Sequence, residues 1–130
     1  SNLDGHASQT FHRKCDNKGA TIVVGRIANS SRLVGGYNPL DWNGHNVWKK
    51  TKNSFLFVLD KNDLKKATVS RVNHNLCNRA IGCSGDHGPL FGGHDLLISN
   101  NMTIWEFKTK TYPRLINTNS LSVSDYEVLQ

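Results

Sequence analysis

The sequence predicts a mostly β domain, a sandwich or barrel of short strands with a minor helical part (α+β in the weak sense). Three observations carry that expectation. Short β-branched and aromatic runs recur through the 130 residues. Turn-forming clusters separate them at roughly 8–12-residue intervals. One run, Phe55-Leu56-Phe57-Val58-Leu59, is apolar on both faces, which places it centrally between two packed layers.

Taken in order, residues 8–18 read as a short helix. Ser8 can cap it, Phe11 and Cys15 lie four apart on one face, and Gly19 supplies a stop. The period then changes. Thr21-Ile22-Val23-Val24-Gly25-Arg26-Ile27 is β-branched and bounded by Gly19 and Asn29-Ser30-Ser31. Arg32 to Tyr37 follows a turn, so the two runs form a hairpin. Asn38-Pro39 and Asp41-Trp42-Asn43-Gly44 mark a loop, and Ser54 to Leu59 is a third strand. Further short strands are expected at Ala67–Val72, Arg79–Cys83, Asp95–Ser99, Thr103–Phe107 and Ser124–Leu129.

Composition agrees with a folded chain. Apolar residues make up 37% and charged residues only 20%, whereas disorder requires low hydrophobicity together with high charge. The length predicts one domain over residues 1–130. No apolar run approaches the ~20 residues of a membrane-spanning helix, and no secretory signal is visible. The chain opens at Ser1, as a processed or excised chain would. The net charge of +6 points to acidic partners. The basic residues are scattered, however, and the densest patch, Lys49-Lys50-Thr51-Lys52, is too short for a nucleic-acid arm. Three cysteines without regular spacing, Cys15, Cys77 and Cys83, read as reduced thiols of an intracellular, cytoplasmic protein.

A family resemblance emerges from five blocks in order. Phe11-His12 with Cys15-Asp16-Asn17-Lys18-Gly19 and Thr21-Ile22-Val23-Val24 resembles the opening of TLDc domains. Leu33-Val34-Gly35-Gly36-Tyr37 with Trp42 is similar to the family's glycine-pair and aromatic segment, and Ser54-Phe55-Leu56-Phe57 to its next strand. Gly88-Pro89-Leu90-Phe91-Gly92-Gly93 with Asp95-Leu96 resembles the glycine-rich segment, and Ser124-Asp125-Tyr126-Glu127-Val128 the terminal strand. The whole is most similar to fungal versions found beside BTB-type domains. Two departures suggest a trimmed copy: the family's N-terminal leader is largely missing, and Leu129-Gln130 replaces a Trp-Gly-Phe-like ending. The resemblance implies a β-sandwich of two antiparallel sheets flanked by short helices. It also implies a role in oxidative-stress resistance and in binding and regulating the vacuolar-type proton pump (V-ATPase), with no catalytic reaction attached.

Several constellations invite a sharper chemistry. Cys77, Cys83, His87 and His94 are metal-ligand types, but their gaps of six, four and seven lack the short-spaced pair typical of zinc sites. No metal and no cofactor is therefore expected. Cys83 and His87, with Asp86 as a third candidate member, could form an activated thiol for redox or hydrolytic chemistry, provided the thiol is exposed. Asp95 and Glu127 could divide acid and base work. The plainer alternative makes Asp95 a cap on the glycine turn and Glu127 a cross-strand ion-pair member. Trp48-Lys49-Lys50 is the best fragment of a base-stacking surface, without any accompanying nucleic-acid signature. The reading that follows is an interaction domain, more a binder than an enzyme. Gly35, Gly36, Tyr37, Phe91, Gly92 and Gly93 are its partner-binding candidates, with a proton-pump subunit as the partner the resemblance implies.

Overall fold

The computed structural model describes residues 15, 19–43, 47–83, 89–92, 95–98, 104–108, 111–115, 118 and 120–129. The β-branched run becomes β1 (Thr21–Ile27), which pairs antiparallel with β2 (Arg32–Asn38) from Thr21 opposite Asn38 to Arg26 opposite Leu33. In the turn between them Asn29 takes a φ of 59°, a left-handed conformation that Asn tolerates better than most residues. Next come β3 (Val47–Lys49), β4 (Phe55–Asp60) and β5 (Asp63–Arg71). A 3-10 helix (His74–Arg79) follows, opened by Asn73, whose side chain accepts the Asn75 N–H. The chain continues through β6 (Ile81–Cys83), β7 (Leu90–Phe91), β8 (Leu96–Ile98), β9 (Ile104–Glu106) and β10 (Ser120–Leu129).

All ten strands lie in one antiparallel sheet of order β3-β6-β7-β8-β9-β10-β1-β2-β4-β5, curled as a half-barrel. The sequence pointed to two sheets; here a single strand joins both halves. Residues 120–122 of β10 pair with β9, and residues 123–129 pair with β1. A register shift beside Arg26 and Ile27 lets the strand bend between the two halves.

The curl brings two inner faces together. Val23, Val34, Leu56 and Val58 from one half meet Ile81, Phe91, Leu96, Ile98 and Trp105 from the other, all buried. Glycine makes the close approach feasible. A Cβ on Gly25 would lie 2.6 Å from the Trp105 ring, and one on Gly36 would lie 2.7 Å from Phe91. Each glycine is therefore a hole filled by a ring from the opposite half. Trp42 sits edge-on to Phe91 at 5.4 Å, and its buried indole N–H donates to Thr21 Oγ1 at 2.8 Å.

Several boundaries differ from the sequence expectation. β3 and β7 were not expected, being too short to show any period. The expected strand 67–72 begins earlier, at Asp63, as the return limb of a hairpin from β4. Arg79 belongs to the 3-10 helix, so only Ile81–Cys83 remains of strand 79–83. β10 starts at Ser120 instead of Ser124. The helix expected at 8–18 lies outside the described residues except for Cys15, which is helical and buried. Among the described residues no helix is long and apolar enough to cross a membrane.

Candidate functional site

Alternation along the strands decides which side chains face the core and which face outward. On β2, Val34, Gly36 and Asn38 point inward, and Leu33, Gly35 and Tyr37 outward. On β4, Leu56 and Val58 point inward, and Phe55, Phe57 and Leu59 outward. Register then aligns the outward residues into rows across five strands. One row runs Leu129, Ile22, Tyr37, Phe55, Arg71; the next runs Glu127, Val24, Gly35, Phe57, Val69.

The result is an aromatic surface on the side turned away from the core. Tyr37 and Phe55 have ring centroids 5.3 Å apart, and Phe55 and Phe57 6.3 Å apart. The Arg71 guanidinium stands 5.5 Å above the Phe55 ring, a cation–π contact. Gly35 leaves room for Phe57, whose ring would lie 2.8 Å from a Cβ at that position. The rings are half-buried, Val69 is 50% exposed and Leu129 48% exposed. A run that is apolar on both faces thus covers the core on one side only; its other side meets solvent.

The partner-binding candidates divide accordingly. Tyr37 belongs to this face and Gly35 lies beneath it. Gly36 and Phe91 fill each other's space in the core, and Gly92 holds a buried turn with a φ of 65°. Gly93 lies outside the described residues. A Cβ at Gly92 would collide with the Asp95 carboxylate.

Asp95 is buried, and its carboxylate accepts N–H bonds from Thr111 at 2.8 and 2.9 Å and from Tyr112 at 2.8 Å. These bonds pin the 111–112 segment against the Gly92 turn. The Tyr112 hydroxyl lies 2.8 Å from Ser54 Oγ and 2.9 Å from the Ala80 carbonyl. Ser54 donates its own proton to the Tyr37 carbonyl, so the phenol's single proton serves both acceptors. Burial pushes the Tyr112 pKa well above its ordinary value; the Ser54 bond opposes this and the nearby Asp95 charge adds to it. Sequence reading singled out Asp95 but not its partners, because the bonds run to backbone amides sixteen and seventeen residues away.

Cys83 is 2% exposed, and its Sγ donates a long contact to the Asp41 carbonyl at 3.9 Å. Asp41 in turn pairs with Lys49. The Lys49 hydrogen bond, helped by the Asn43 N–H, holds the Asp41 carboxyl below its ordinary pKa against some desolvation. Cys15 and Cys77 are also buried, and no disulfide joins any of the three thiols. Asp86, His87 and His94 lie outside the described residues. Among the described residues no group of three His, Cys, Asp or Glu side chains is placed to hold a metal. Glu127 is exposed on β10 and lines a shallow groove of about 190 Å³ with Arg26, Lys61 and Asp125. Trp48 is 39% exposed, with the Arg79 guanidinium 5.5 Å from its ring.

No curated protein matches the chain. A family model described as the TLDc domain matches residues 1–130, and the chain belongs to that family.

Proposed function

We propose that this TLDc domain is a protein-interaction module that docks partners on its outer aromatic face. The observation that carries the reading is the Tyr37, Phe55, Phe57 row with Arg71 above it, partly exposed on the side of the sheet away from the core. Tyr, Phe and Arg are enriched in the buried centres of protein interfaces, and Tyr and Arg among binding hot spots. The chemistry expected of an enzyme finds less support. The Cys83 thiol is buried, and the Asp95 carboxylate is spent on backbone amides.

From the family's associations, the partner we propose is a subunit of the vacuolar-type proton pump, met inside the cell, and the consequence is protection against oxidants. Affinity capture from source cells tests the reading. Replacing Tyr37→Ala together with Phe55→Ala should remove the captured partner at least tenfold while the folded circular-dichroism spectrum persists. Undiminished capture by that variant would defeat it.

A further inference from the structure

The strand order leaves β5 at one edge of the sheet. Unlike the other edge, the three-residue β3, it is nine residues long and exposed along most of its length. Its open main-chain groups can be assigned. The Val72 N–H donates to the Ser54 carbonyl. The same register pairs Ser70 with Leu56 and Thr68 with Val58. Antiparallel pairs alternate between bonded and non-bonded positions. Thr68 and Ser70 therefore turn their N–H and C=O groups toward β4, and Val69 and Arg71 turn theirs outward. The side chains of Val69 and Arg71 also lie on the outer aromatic face, opposite Phe57 and Phe55. One strip of chain thus offers both a backbone template and the margin of the apolar surface.

The charge around this edge selects its occupant. Lys61, Lys65, Lys66 and Arg71 border it and are exposed; Asp63 is the acidic residue among them, and the Asp60 carboxylate accepts from Ser31 and Asn62. Two copies meeting edge to edge would oppose their lysines, a usual device against self-pairing. The same lysines attract an acidic strand. We propose that the β5 edge accepts an acidic, extended segment of a partner protein as an added strand, its alternate apolar side chains continuing the Val69 and Phe57 row. This rests on the interaction-module reading and specifies the kind of partner segment.

The test uses a labelled ten-residue peptide of alternating Glu and Val, followed by fluorescence anisotropy on the whole chain. Saturable binding that weakens with added salt is expected. Val69→Pro removes an outward N–H that pairs with no strand among the described residues, and proline is tolerated at such edge positions. It should weaken binding at least tenfold, as should Lys65→Glu with Lys66→Glu. A peptide N-methylated at alternate residues should also fail, and it keeps the test decisive should Val69→Pro not fold. Absence of saturable binding to the native chain would overturn the proposal. Equal affinity for the N-methylated peptide would do the same, as would dimerisation abolished by Val69→Pro in place of peptide binding. Affinity capture separates the two claims. A partner kept by Val69→Pro and lost by Tyr37→Ala with Phe55→Ala sinks the edge but leaves the module standing; a partner kept by both sinks both.

Discussion

Gly36 and Phe91 show how single positions hold the two halves of the sheet together. A Cβ at Gly36 meets both the Phe91 ring and Leu56 Cδ2 at 2.7–2.9 Å inside a closed core. Gly36→Ala should therefore cost about 1–3 kcal/mol from overpacking. Phe91→Leu alone should also destabilise, while the double variant recovers part of the loss, a coupling that urea melts in a double-mutant cycle would measure. Tyr112 gives a second prediction through pH. Its folded pKa is raised, so the folded state keeps the phenol proton where the unfolded state releases it. The stability this contributes is complete below about pH 10 and declines as pH rises toward the folded pKa, by up to about 1.4 kcal/mol per pH unit. Tyr112→Phe should be less stable at pH 7 by about 1–2 kcal/mol, through the lost hydrogen bond. Its urea midpoint should then fall less steeply between pH 9 and 11; a parallel fall would show that Tyr112 does not carry the linkage.

At the scale of elements, β10 and β1 form the spine and β3 and β5 the margins. Amide exchange should follow that order, with Val23, Val24 and Glu127 slowest and Trp48, Val69 and Arg71 fastest. Fast exchange along β1 would contradict the continuous sheet. β1 and β2 were legible in sequence because seven-residue runs such as Thr21–Ile27 show their β-branched period plainly. β3 and β7, three and two residues long, carry no period, and tertiary pairing alone creates them. β10 was half legible: the expected strand began at Ser124, although Ser120-Leu121-Ser122-Val123 already alternates. The outer face was partly visible too. Tyr37 could be named from its glycine-pair block, and the Phe55, Phe57, Leu59 alternation was apparent. Which face of β4 meets solvent was not apparent, because Leu56 and Val58 are equally apolar and only the curl chooses between them.

For the whole molecule, one curled sheet closes its core with rings set into glycine holes and leaves an aromatic face and a basic edge outside. Carboxylate and thiol chemistry is drawn into the scaffold: Asp95 fixes a loop, and Cys83 packs against the Asp41 carbonyl. If, as proposed, the domain acts by surface recognition, its function should survive loss of the thiol and fail with loss of the face. The most direct measurement is survival of oxidant-challenged source cells carrying Cys83→Ser or the Tyr37→Ala, Phe55→Ala pair, with folding of each checked by thermal melting. Full protection is expected with Cys83→Ser, and loss of protection with the aromatic pair. Protection abolished by Cys83→Ser in a folded protein, and retained by the aromatic pair, would contradict surface recognition.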